Sequence, residues 1–144
     1  MTVRNIVKTK GEVNVVTLKP GDTVRRAAEL LGEKRIGTVV VSSDGIACEG
    51  IVSERDIVRE LGARGAEILD LTLADIMTRE IETCAMGDDI RSVLNRMTEG
   101  RFRHMPVMEG ERMVALISLG DAVKDRLQEV RAERDALTGM VMGH

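Results

Sequence analysis

Val15-Val16-Thr17-Leu18-Lys19-Pro20-Gly21-Asp22-Thr23-Val24 returns 66 positions later as Ile81-Glu82-Thr83-Cys84-Ala85-Met86-Gly87-Asp88-Asp89-Ile90, with Thr, Gly and Asp in matching places. An apolar stripe follows in each copy: Val24, Ala27, Ala28 and Leu31, then Ile90, Val93, Leu94 and Met97. Both keep the i, i+3, i+4, i+7 spacing of a helix with one buried face. A Thr or Asp stands before each, where its side chain satisfies a free N–H at the helix start.

Beyond the helices, Arg35-Ile36-Gly37-Thr38-Val39-Val40-Val41 is set against Arg103-His104-Met105-Pro106-Val107-Met108 at an offset of 68. The β-branched run of the first copy suits a buried strand. Turns follow at Ser43-Asp44-Gly45 and Glu109-Gly110-Glu111. Second strands then lead into Ile51-Val52-Ser53-Glu54-Arg55-Asp56 and Leu116-Ile117-Ser118-Leu119-Gly120-Asp121, at an offset of 65. Each half thus spells β-α-β-β-α over about 60 residues, a length that buries too little core alone. The fold expected is α/β (α+β), with two pseudo-symmetric repeats packed sheet to sheet.

The flanks echo each other as well. Val3-Arg4-Asn5-Ile6-Val7 resembles Leu73-Ala74-Asp75-Ile76-Met77, each read as a short lead-in to the first strand of its own copy. Thr72 and Asp75 have the spacing of a helix N-cap, and Gly62-Ala63-Arg64-Gly65 ends a helix and opens a connector. After Asp121 the pattern is helical to about Leu137, with Val123, Leu127, Val130 and Leu137 on one stripe whose ordinary fate is packing on the chain's own core. Gly139 and Gly143 break the tail. The divisions are 1–71 for the first repeat with its lead-in, 72–124 for the second, and 125–144 for an extended C-terminal helix and tail.

Composition removes several classes. The chain has 144 residues, one domain's length. It carries 21 basic and 24 acidic side chains for a net charge of −3, so no overall basic field draws it to nucleic acid. One Phe, no Tyr and no Trp argue against stacking readers of single strands. Cys48 and Cys84 lie 36 residues apart with no CxxC partner, and with two histidines they are all the nitrogen and sulfur ligands a structural zinc could draw on, so they are read as buried or half-buried free thiols of a reducing compartment. No apolar run reaches the ~18–20 residues of a membrane span, and Met1–Lys8 lacks a secretory h-region. A cytoplasmic protein is expected. No P-loop, GxGxxG, HExxH or nucleophile with a base partner is present, so no enzyme and no metal site are expected.

Candidate chemistry centres on a Ser-x-x-Asp pair that occurs twice after an apolar strand, at Ser53/Asp56 and Ser118/Asp121. Its ordinary role is a helix cap, with the acid also favoured by the helix dipole. Its functional role would be recognition: a carboxylate there can accept both hydroxyls of a ribose while Ser and helix N–H groups face a phosphate.

The order of features resembles a CBS (cystathionine β-synthase) domain: a Thr-bearing first strand, the turn Pro20-Gly21-Asp22, a helix, Arg35–Val41, a hairpin, then Gly50–Asp56. Arg101-Phe102-Arg103-His104-Met105-Pro106-Val107 and Leu116–Asp121 resemble its partner. Over roughly residues 2–124 the chain resembles a tandem CBS pair, or Bateman module, of the stand-alone bacterial or archaeal type. The resemblance implies an adenosine ligand: AMP, ADP, ATP, NAD(H) or S-adenosylmethionine. It places Ser53 and Asp56 at the phosphate and ribose of one site, Ser118 and Asp121 in the other, and Thr17 and Thr83 along the ligand. Ile36-Gly37 and His104-Met105-Pro106 would meet the adenine. With one aromatic residue in the chain, aliphatic and thioether side chains must sandwich any base. Arg55 and Arg103 are the cations chosen for phosphate, since Arg offers a planar charged fork.

The two sites are not equivalent. Gly50 precedes the first Ser where Ala115 precedes the second, and Glu54-Arg55 is replaced by Leu119-Gly120. The Ser53/Asp56 site is therefore expected to hold phosphate-rich ligands better, unless Arg101 and Arg103 compensate. Three roles follow. The first is a sensor that changes conformation or dimer geometry on binding an adenosine compound. The second is a homodimeric scaffold with non-binding clefts, whose helices dock a protein partner through the stripe Val123, Leu127, Val130 and Leu137. The third, an accessory to nucleic acid through Arg101-Phe102-Arg103-His104, fits the charge and the single aromatic least. A homodimer is expected, with no membrane partner.

Overall fold

The computed structural model describes residues 1–10 and 15–141, so the Gly143 helix break falls outside it, while Gly139 lies within the last helix and does not end it. In chain order the elements are α1 (Val3–Lys10), β1 (Thr17–Leu18), α2 (Val24–Lys34), β2 (Thr38–Val41), β3 (Gly50–Ser53) and α3 (Glu54–Arg64). A 3₁₀ turn (Ala66–Asp70) leads to α4 (Leu73–Ile76), α5 (Ile90–Gly100), β4 (His104–Glu109), β5 (Arg112–Ser118) and α6 (Leu119–Val141). The protein is mixed α/β, with the repeat pattern and the C-terminal helix both present. No helix among the described residues is long and apolar enough to cross a membrane.

The chain divides into two compact units that do not follow sequence order. One gathers the stretch from β1 to Glu82 with Gly110–Val114; the other gathers α1, Thr83–Glu109 and Ala115 to the end of α6. The lead-ins explain the interleaving. Val3 and Arg4 donate their N–H groups to Asp88 O (2.9 Å) and Met86 O (3.0 Å), in the turn of the second repeat. Leu73 and Ala74 donate to Asp22 O (2.9 Å) and Pro20 O (3.0 Å), in the turn of the first. The return bonds match too: Ile90 N–H to Met1 O and Val24 N–H to Leu71 O. Each lead-in therefore docks on the other repeat's turn, not on the copy it precedes. The backbone groups freed at a helix start must be satisfied by something, and the turn carbonyls supply it.

In the first unit β1 pairs parallel with β2, and β2 antiparallel with β3. The run Thr38-Val39-Val40-Val41 is buried throughout. Val24, Ala27, Leu30 and Leu31 of α2 pack on Val39, Val41, Val52, Ile57 and Ile68. Each such aliphatic side chain contributes roughly 1.5–3 kcal/mol on full burial. The connector begins where sequence placed it: Gly65 has φ 81°, and its N–H closes α3 on Leu61 O at 2.8 Å.

The second unit departs from the expected strand order. Ile81–Met86 forms no strand, only a parallel bridge from Cys84 to Val107. The cause is Pro106. In the first repeat Val40 N–H donates to Val16 O (3.1 Å) and Ser42 N–H to Leu18 O (2.8 Å). The second repeat keeps the counterpart of the latter, Met108 N–H to Cys84 O (2.8 Å). Pro106 stands where Val40 stands and has no N–H to give, so the ladder loses a rung.

The same register corrects the alignment of the second strands. Leu18 pairs with Val41 as Cys84 pairs with Val107. Arg35 (φ 52°) and Arg101 (φ 56°), both left-handed, are the matched caps of α2 and α5. The offset is thus 66, not 68, and Phe102 and Arg103 occupy the places of Ile36 and Gly37. Arg in a left-handed cap where Gly is usual carries about 1–2 kcal/mol of strain.

Gly50 has a packing reason. A β-carbon there would lie 2.6 Å from Met77 Sδ, 2.9 Å from its Cγ and 3.1 Å from Thr78 O, because Thr78 bridges Ile51 alongside it. Gly50→Val is expected to destabilise the fold by about 1–3 kcal/mol, read as a lower urea midpoint at unchanged slope. A midpoint equal to that of the unaltered chain would remove this role.

Helix α6 packs on α5 and α1 with an unusual face. Ala122 (0% exposed) and Asp125 (7%) point inward, while Val123 (42%), Leu127 (50%), Val130 (43%) and Leu137 (62%) point to solvent. The stripe whose ordinary fate is core packing is instead the outward face, where the scaffold alternative has it. Asp125 and Glu129 lie on the inward side, Glu129 held by Arg126 at 3.2 Å, and burial raises the Asp125 carboxyl above its ordinary range.

Candidate functional site

Both Ser-x-x-Asp pairs sit at strand-to-helix junctions, one in each unit. At β3–α3, Ser53 N–H donates to Asp56 Oδ2 (2.9 Å) and Asp56 N–H to Ser53 Oγ (3.2 Å). At β5–α6, Ser118 N–H donates to Asp121 Oδ2 (2.9 Å) and Asp121 N–H to Ser118 Oγ (3.1 Å). Both are reciprocal capping boxes, so the capping role is real. Thr72 and Asp75 close a similar box before α4, where no ligand chemistry is invoked. The cap alone is therefore no sign of a ligand.

What distinguishes the two repeat junctions is the loop held against them. Glu54 N–H, the first of α3, donates to Gly37 O at 2.9 Å, and Leu119 N–H, the first of α6, donates to Arg103 O at 2.7 Å. Each junction thereby gathers a serine, an acid, a helix start and the backbone that enters the second strand. In the first unit the Ile36-Gly37 loop adjoins the Ser53–Asp56 junction through the Gly37–Glu54 bond and the Thr38–Ser53 pairing, and Thr17 lies on the far side of β2, paired with Val40. In the second unit Arg103, Ser118 and Asp121 come together, with His104 next along the strand. Met105 and Pro106 are buried in the core, and Thr83 is exposed with its carbonyl held by Arg96 at 2.7 Å.

The acids differ in their partners. Asp56 is 7% exposed and its Oδ1 accepts from Arg59 at 2.9 Å. Asp121 accepts from Lys10 Nζ at 2.7 Å, and the same ammonium lies 3.5 Å from Leu116 O. Burial pushes the Asp121 carboxyl up, but the Lys10 hydrogen bond and the Ser118 N–H and hydroxyl outweigh it and hold it below 3.8. A depressed folded value stabilises above the unfolded value and loses that contribution as pH falls through the folded one. Lys10→Met is thus expected to destabilise the chain at neutral pH by about 1 kcal/mol or less. The gap to the unaltered chain should close as pH drops below 3.8, the ordinary value. Thermal melts from pH 7 to 2.5 check it; a gap constant across that range contradicts it.

Three neighbours of these sites escaped sequence reading. Thr38 is buried and pairs with Ser53 across β2–β3. Arg59 was legible as an i, i+3 partner of Asp56. Lys10 lies 111 positions from Asp121 and no local pattern signals it. The cysteines are free, as expected, Cys48 half-buried and Cys84 buried. Burial, then the charge of Asp88, pushes the Cys84 thiol up to about 11 against a lowering by Arg96. No group of three or more metal-ligating side chains occurs among the described residues.

The CBS domain family model matches residues 3–63 and 73–127. A CBS-domain containing protein from Agrobacterium tumefaciens is similar in structure, with 36% identity and a TM-score of 0.83 over 88% of this chain and 99% of that one. A mitochondrial CBS domain-containing protein of Arabidopsis thaliana is 29% identical over 99% of this chain and 72% of its own length. The chain spans only 23% and 24% of two longer CBS domain proteins of the same plant. A CBS domain protein from Pyrobaculum aerophilum complexed with AMP shares the fold at 23% identity and a TM-score of 0.72, over 84% of this chain and 89% of that one.

Proposed function

The chain belongs to the CBS domain family, and from that membership we propose that it is a regulatory module that binds an adenosine ligand of the AMP/ADP/ATP or NAD(H) class and is not itself a catalyst. The observation that carries the reading is the duplicated junction. In each unit a Ser–Asp pair meets a helix start whose first N–H is bonded to the loop entering the neighbouring strand. At the first site Asp56 would take the ribose hydroxyls, Ser53 and Arg55 the phosphate, Thr17 the length of the ligand, and Ile36-Gly37 the base. At the second Asp121 would take the ribose, Ser118 and Arg103 the phosphate, and His104 the base, with Thr83, Met105 and Pro106 nearby. The AMP complex of the Pyrobaculum aerophilum relative supports the ligand class. A ligand signals only if it prefers one state, so the regulatory output requires contacts that differ between states.

Thermal melts against AMP, ADP, ATP, NAD⁺, NADH and S-adenosylmethionine test this. A ligand at 100 times its Kd stabilises by about 2.7 kcal/mol per site, worth roughly 5–10 °C for a domain this size. A selective shift supports the reading; no shift with any of them at millimolar concentration contradicts it.

One observation favours a second reading, the homodimeric scaffold. Val123, Val130 and Leu137 recur every seven residues on the outward face of α6, with Leu127 between them. That is the spacing of a helix–helix seam, and a second copy supplies a helix with the same spacing. Sensor and dimer are compatible, since ligand-dependent dimer geometry is one way for such a module to report.

A further inference from the structure

We propose that Lys10 makes the Ser118/Asp121 site a reader of ligand charge, selecting a 5′-phosphorylated adenosine over the uncharged nucleoside; this rests on the adenosine reading above. The second junction lacks the arginine of the first, because Gly120 stands where Arg55 stands. The structure brings in a cation from elsewhere. Helix α1 continues to Lys10, whereas the corresponding α4 ends at Ile76 and lets Thr78 bridge Ile51. The extra turn sets the Lys10 ammonium 2.7 Å from Asp121 Oδ2 and 3.5 Å from Leu116 O.

Asp121 is the group to which the reading assigns the ribose, so ligand and Lys10 compete for one carboxylate. The lysine side chain is 31% exposed and the aspartate 25%, so the pair is within reach of solvent. A diol that takes Asp121 displaces an ammonium that stays tethered close by on a flexible four-carbon stem. An uncharged nucleoside leaves that ammonium without its counter-ion. A phosphorylated ligand brings an anion to receive it, and the bond lost to Asp121 is replaced by a charge-assisted one. In the first junction the partner of Asp56 is Arg59, from the same helix and on a side chain 64% exposed, which a ribose displaces into water at little loss. Competition between ligand and cation for the ribose-binding carboxylate is thus the property of the second site, whereas at the first the phosphate is left to Arg55.

Calorimetric titration with AMP and with adenosine, in a chain carrying Asp56→Asn to confine binding to the second site, tests the inference. Lys10→Met should weaken AMP about tenfold or more and leave adenosine unchanged or tighter, and Lys10→Arg should restore most of the AMP preference. An equal loss for both ligands, or AMP binding unaffected by Lys10→Met, overturns it while leaving the adenosine reading intact. Binding of neither ligand by the unaltered chain overturns the adenosine reading and the inference with it. Melts of each variant without ligand identify any loss that is merely unfolding.

Discussion

Asp56→Ala is expected to weaken AMP binding at the first site by tenfold or more and to lower the stability of the ligand-free chain by about 1–2 kcal/mol. Two separate losses are combined. The first is the cap: Asp56 Oδ2 receives the Ser53 N–H, and its Oδ1 the Arg59 guanidinium. The second is the carboxylate itself, whose hydrogen bonds to a diol are worth about 1.5–3 kcal/mol to a charged acceptor, a factor of roughly 10–100 in affinity. Arg59→Ala separates them, because it removes the ion pair and keeps the carboxylate; its AMP affinity should hold or improve. Isothermal titration beside urea unfolding reads both quantities. If Asp56→Ala lowers affinity no more than Arg131→Ala, a change on an exposed part of α6, the box at Ser53 is a cap and nothing else.

The second large effect belongs to α6. Leu127→Glu with Val130→Glu is expected to convert a dimer to monomers, raising the dissociation constant about a thousandfold. Each of the two side chains in each of two copies contributes about 1 kcal/mol when the seam closes, roughly 4 kcal/mol in all. Because both residues face solvent within their own unit, the melting of the dilute monomer should not fall. Sedimentation velocity over a range of concentrations decides it. An unaltered chain that remains monomeric throughout contradicts the seam, and a variant that loses monomer stability would place these residues in the core instead.

Much of the fold could be read from spacing, because a repeat obeys local rules twice. The stripes of α2 and α5, the turns Pro20-Gly21-Asp22 and Met86-Gly87-Asp88, and the Ser-x-x-Asp junctions all follow from residues within a few positions of each other. What was misread depends on distance or on a single atom. The exchange of lead-ins between repeats is made of backbone bonds spanning about fifty residues or more, which side-chain pattern does not encode. The shortened first strand of the second repeat was legible in principle, since a proline at the Val40 position removes one donor. Residue type alone sets Arg35 against either Arg101 or Arg103, and the shared left-handed backbone of Arg35 and Arg101 fixes the register. In helix α6 periodicity says which residues share a face and not what that face meets, so the stripe's two fates, core packing and partner contact, are separated only by the fold, which turns it to solvent. At the second junction, Lys10 needed the fold to bring it to Asp121.

The most direct measurement is nucleotide uptake by absorbance. With no Trp and no Tyr the chain is nearly transparent at 280 nm and weak at 260 nm, so gel filtration in buffer containing AMP reads bound nucleotide without a label. The expected result is a 260 nm peak that travels with the protein, balanced by a trough at the free nucleotide, and reduced in Asp56→Ala and again in Asp56→Ala with Asp121→Ala. No excess absorbance with the protein at millimolar AMP, ATP or NAD⁺ would contradict the adenosine reading, leaving two helix caps and an outward-facing seam.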